Sequence, residues 1–296
     1  MQDSLTDMTT IHQYTTAADW ITAIDEALRA RPDGSAVALA AKFIAFLEDT
    51  DRDALTNARA WNFSGCAHHL AGDFHSGLHA YGRALALVDH VDASADEVGC
   101  QALLMINVGE AWCDLGDGPA AHTELSKALA FIQSNPPTAA TPQMLGKIYQ
   151  LLAFAEPDEA ERWLLASAAV LHGKGFEAML AETLIRILSL QFGREEFHTA
   201  LVLLQQICSL IEAIDAPRAA TLMNQLMHLH QPLVTSSEPP TVYLGQALGV
   251  LGKSIRRDDP ELTPRISWAV SWLNALGHEE QADALRAWAD ITATTE

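Results

Sequence analysis

Between His68 and His79 the chain reads His-His-Leu-Ala-Gly-Asp-Phe-His-Ser-Gly-Leu-His, with histidines at 68, 69, 75 and 79 and a carboxylate at Asp73. His75 and His79 stand four apart, the spacing at which two imidazoles on one helical turn can share a zinc ion, and Asp73 is close enough in sequence to join them. Two features oppose that chemistry. The segment has no HExxH, so no general base accompanies the pair, and His68 falls where the local pattern calls for a packing residue. These histidines are expected to be ordinary surface and core residues, with no metal and no cofactor.

Nucleophilic chemistry finds no better footing. There is no GxSxG elbow, and Cys66, Cys100, Cys113 and Cys208 form no CxxC pair. They read as thiols of a reducing cytosol. No P-loop or GxGxxG follows a strand, because no strand pattern is present. Glu195-Glu196 and Glu279-Glu280 are expected to begin helices and serve their dipoles. Gly245 and Gly249 have the small-xxx-small spacing of a close helix contact. No catalytic residue emerges, and the chain is expected not to be an enzyme.

The bulk properties narrow the partners. Eighteen Lys and Arg stand against 38 Asp and Glu, a formal charge of −20. Such a surface repels nucleic acid and anionic lipid, and suits a basic partner. The N-terminus lacks a basic start followed by an apolar run, and no stretch is apolar for long enough to span a bilayer. The expected setting is the cytoplasm.

The elements that must position these residues are helices. Ala and Leu dominate, and β-branched runs are scarce. Residues 1–15 read as a loose tail, 16–231 as a series of helix pairs, 232–241 as a loop or linker, and 242–296 as C-terminal helices continuing the series. Breaks are expected at Gly72-Asp73, Leu115-Gly116-Asp117, Glu156-Pro157, Gly193 and Gly277.

Two of these pairs echo each other. Trp61, Gly65, His68, Gly72, Gly77, Tyr81 and Ala84 are matched 44 residues later by Met105, Gly109, Trp112, Gly116, Ala121, Leu125 and Ala128. Steps of three and four follow one face of a helix, and the Gly-to-small step of five crosses a turn. Ala160, Leu164 and Ser167 continue the second-helix pattern after 39 residues, and Ala200, Leu204 and Ile207 do so again, but there Gly193 lies two residues too far away. Gly277, Ala282 and Ala289 recover the spacing.

This order of aromatic, small residue and turn glycine resembles the tetratricopeptide repeats (TPRs). Trp61, Gly65, Gly72, Tyr81 and Ala84 carry the likeness, as do Gly109, Trp112, Gly116, Ala121, Leu125 and Ala128. The departures are His68 in place of an aromatic, Ser64 in place of Leu, and a period longer than the family's 34 residues. The resemblance implies an all-α, right-handed superhelical solenoid of antiparallel helix pairs whose first helices line a concave, partner-binding face. On that face it places Asn62, Cys66 and His69 from the first unit and Ile106, Glu110, Cys113 and Asp114 from the second. Arg59 and Asn62 are the only hints of the family's carboxylate clamp, and Glu110 and Asp114 oppose one. The implied function is a scaffold or adaptor whose acidic groove takes a basic or apolar protein or peptide. The alternative is a stand-alone sensor or regulatory module for a signalling peptide or small ligand, as in the bacterial regulators that carry such repeats. The groove could also be filled by the C-terminal helices or by a second copy of the chain.

Overall fold

The computed structural model describes residues 16–30, 35–48, 53–88, 94–135, 141–236, 239–255, 259 and 261–293. The helices expected from the sequence are found, and no strand occurs among the described residues.

The chain divides into two compact units, 1–160 and 161–296. In the first lie α1 (Ala17–Ala30), α2 (Ser35–Glu48), α3 (Ala54–Leu70), α4 (Phe74–Val88), α5 (Ala95–Asp114), α6 (Gly118–Ser134) and α7 (Thr141–Ala155), followed by a 3-10 turn at Pro157–Glu159. Antiparallel pairs form by α1 with α2, α3 with α4, and α5 with α6. The first helices α1, α3, α5 and α7 also pack in sequence against one another. The second unit holds α8 (Ala160–Leu171, which begins at the boundary), α9 (Glu177–Gly193), α10 (Phe197–Glu212), α11 (Ala216–Val234), α12 (Thr241–Ser254), α13 (Leu262–Ala275) and α14 (Glu279–Ala293). Here the second helices α10, α12 and α14 pack side by side.

Local sequence explains where helices start. Asp53 accepts from the Thr56 N–H and hydroxyl, bonds that hold its carboxyl below the usual range. Ser94 and Glu97 close a capping box, and Asp117 and Asp215 cap α6 and α11.

The turns repeat to the atom. At Gly72 (φ 79°), Gly116 (φ 76°) and Gly277 (φ 80°) the chain enters the left-handed region. The N–H of each donates three residues back, to His69, Cys113 and Asn274 in turn, and the next N–H reaches back five, to His68, Trp112 and Leu273. The α9–α10 turn has the same bonds, Glu195 to Phe192 and Glu196 to Gln191, with Glu195 at φ 59°. Glu195 lies five residues before Ala200, the spacing of Gly72 to Gly77. The register is therefore kept, the turn position is a glutamate, and Gly193 is the last residue of α9. Glu195 does not begin a helix as the sequence suggested.

Small residues admit large ones. A Cβ on Gly109 would lie 2.5 Å from Leu125, and one on Gly65 would run into the Tyr81 ring. Both partners are 16 residues on, in the other helix of the pair, and both are buried. On α12 the contact glycines are Gly245 and Gly252, facing His278 just before α14 and Leu285 within it, while Gly249 faces open space. The expected Gly245–Gly249 contact is thus a Gly245–Gly252 contact, because steps of seven keep one helix face toward a neighbour.

α11 runs on to Val234 with Pro232 inside it, further than the expected end near 230. A proline in the last turn removes one donor only, and Thr235 closes the end by bonding the Gln231 carbonyl through both N–H and hydroxyl. Across α11, the fully buried His230 donates from Nδ1 to the Leu226 carbonyl at 2.7 Å and accepts at Nε2 from the Tyr243 hydroxyl at 2.8 Å. Phe192 meets both rings edge-on. Burial holds the imidazole neutral, its pKa down to about 4.

Candidate partner-binding face

The seven residues expected on the first-helix face all lie on α3 and α5, which pack together in the first unit. On α3, Asn62, Cys66 and His69 share a stripe at steps of four and three, each partly exposed. On α5, Glu110 is partly exposed and Asp114 exposed, whereas Ile106 and Cys113 are buried at 2% and 4% exposure. α5 lies between α3 and α7, and contact on both sides covers more of its surface than the sequence suggested. The Cys113 thiol points to the Leu151 carbonyl on α7, 3.8 Å away.

The structure joins these residues in a ladder across three helices. Asn107 Nδ2 donates to Asn62 Oδ1 at 2.8 Å, and His69 Nε2 donates to Asp114 Oδ2 at 2.6 Å. Lys147 of α7 reaches Glu110 Oε1 at 2.5 Å. Both carboxylates of the expected acidic groove therefore face a basic side chain of the same unit. Cys66 receives the Tyr81 hydroxyl at 3.6 Å and the Asn107 amide at 3.9 Å. Burial, the largest influence, pushes its thiol above the usual range, which disfavours the thiolate and hence nucleophilic use.

Asn107 and Lys147 escaped the sequence reading. A signal for Lys147 was present: Gly146 and Tyr149 repeat Gly109 and Trp112 at an offset of 37, the offset that carries Glu110 to Lys147. Apolar side chains flank the ladder. Leu103 lies one turn before Asn107 on α5, Leu70 one turn after Cys66 on α3, and Phe154 two turns after Lys147 on α7, and all three are exposed.

The histidine segment is spread over a turn. His68 Nδ1 lies 3.4 Å from Asp73, His69 belongs to the ladder, and His75 and His79 are exposed on α4. Among the described residues no group of three or more His, Cys, Asp or Glu is gathered as a metal would need. Nor is any helix among them long and apolar enough to cross a membrane.

No family model matches the chain, and no curated protein matches its sequence. Its fold is similar to the crystal structure of the apo form of RapI, with a TM-score of 0.59 and 10% identity over 94% of this chain and 97% of that one. BtubC from P. vanneervenii aligns over 95% of this chain and 92% of its own with 13% identity and a TM-score of 0.45. The match to RapI, with the repeated turns and glycine contacts, makes this an all-α, TPR-like helical-repeat fold.

Proposed function

We propose that the chain is a non-catalytic binding module, a scaffold or adaptor that takes a protein or peptide on the α3–α5–α7 face of its first unit. One observation carries the reading: polar side chains of three successive first helices are fixed in a ladder, with exposed Leu70, Leu103 and Phe154 beside it. Fixed polar groups orient a partner, and exposed apolar ones supply the binding free energy. Since Glu110 and Asp114 already face Lys147 and His69, an apolar segment fits this face better than a strongly basic one. A helix or an extended strand of peptide could supply it, from another protein or a second copy of the chain. The four free thiols suit a reducing, cytoplasmic setting.

The test is affinity capture from a lysate of the source organism with the wild type and with Leu103→Glu/Phe154→Glu. Both positions are exposed, so the fold should survive, which circular dichroism checks. Loss of specific partners supports the face. A partner list unchanged by the double substitution moves binding elsewhere on the chain.

A further inference from the structure

The second unit contains a pocket of about 490 Å³ lined by Phe197, His198, Leu201, Pro239, Pro240, Thr241, Val242, Tyr243 and Gln246. We propose that it is a docking site for a peptide that inserts one aromatic side chain. The inference shares only the class of partner with the function proposed above, and none of its residues.

The walls argue for an aromatic ring. Phe197 lies beside the buried Tyr243, ring centroids 5.3 Å apart, and two consecutive prolines also line the pocket, so its walls are aromatic and apolar. Tyr243 is held on three sides: its hydroxyl by His230, its ring by stacking on the His230 ring, and by the edge of Phe192. A wall fixed before binding loses little freedom when a ligand arrives. His198, Thr241 and Gln246 provide hydrogen-bonding groups among these apolar walls. Among the described residues no Asp, Glu, Lys or Arg lines the pocket, so they offer an ionised side chain no countercharge.

The surroundings argue for a peptide over a free small molecule. The pocket opens to solvent, and small-molecule sites enclose most of their ligand. At its rim Val242 is 75% exposed, and Val202, one turn on from His198, is also exposed. Residues flanking an inserted ring would cover both.

The probe is N-acetyl-tryptophanamide, followed by methyl NMR of Leu201 and Val242 in the full chain. Saturable shifts with a Kd of roughly millimolar order are expected for so small a ligand. Gln246→Trp, which fills the pocket from an exposed position, should weaken binding by about tenfold or more. Val242→Asp provides the same test at the rim. N-acetyl-leucinamide should bind at least about tenfold more weakly than the tryptophan compound. Absence of saturable shifts, binding unaltered in both variants, or equal binding of the leucine compound would overturn the proposal. Free indole binding more tightly than the capped amino acid would overturn the assignment to a peptide. All of these outcomes are read without substitution in the first unit, so they stand apart from the capture experiment.

Discussion

Replacing Glu195 by glycine should stabilise the protein. Gly72, Gly116 and Gly277 hold the left-handed position in turns with the same two backbone bonds, and a further turn with those bonds places Glu195 there at φ 59°. A side chain in that region costs about 1–2 kcal/mol, because Cβ crowds the neighbouring carbonyl. Glycine gives back about 0.5–1 kcal/mol of this through the greater freedom of its unfolded chain. The expected net gain is about 0.5–1 kcal/mol, or roughly 2 °C in melting temperature. Charge must be separated from strain, since Glu195 precedes α10 and its carboxylate favours the N-terminal end of that helix. Glu195→Ala removes the charge and keeps Cβ. The informative quantity is therefore the difference between the glycine and alanine variants, from urea unfolding and calorimetry. If the glycine variant is no more stable than the alanine variant, the turn is not strained as argued.

The buried imidazole gives a pH-dependent expectation. His230 binds its proton at about pH 4 when folded, against about 6.5 when unfolded, so the unfolded state takes up more protons between these values. Stability is fully present above pH 6.5, falls as the pH drops toward 4, and loses about 2 kcal/mol from this group between pH 7 and 5. Urea unfolding at both pH values should show that part of the loss absent from His230→Phe/Tyr243→Phe, in which no hydroxyl is orphaned; equal losses would refute it. At the glycine contacts, Gly109→Ala should destabilise by about 1–3 kcal/mol because Cβ meets Leu125 at 2.5 Å. Gly82→Ala, where a Cβ meets nothing within 4 Å, should show no such loss in the same denaturation experiment.

Much of this architecture was legible because packing and turns leave periodic marks. Gly65, Gly109, Tyr81 and Leu125 are spaced by the size of a helix pair, and in these two pairs each glycine makes room for the large residue 16 positions on. The turn at Glu195 was harder to see. Its backbone is the same, but its residue type is wrong, and a sequence pattern registers types and not dihedral angles. The site was half legible for a related reason. The repeat resemblance pointed to stripes on α3 and α5, yet burial of Ile106 and Cys113 depends on how closely α7 approaches α5, which no spacing within α5 encodes. Asn107 and Lys147 act through pairs that exist only once the helices are stacked.

The ladder of the first unit also behaves as a ruler. Asn62–Asn107 and His69–Asp114 have the same separation of 45 residues and sit seven residues apart, two turns along both helices. Sliding α5 by a single turn of 5.4 Å would break both bonds together. Such a surface cannot mould itself to its guest by shear. The guest must arrive with its anchors at the surface's own intervals, or lose its freedom in taking them up. Discrimination between partners would then rest on the distance between their contact residues at least as much as on what those residues are.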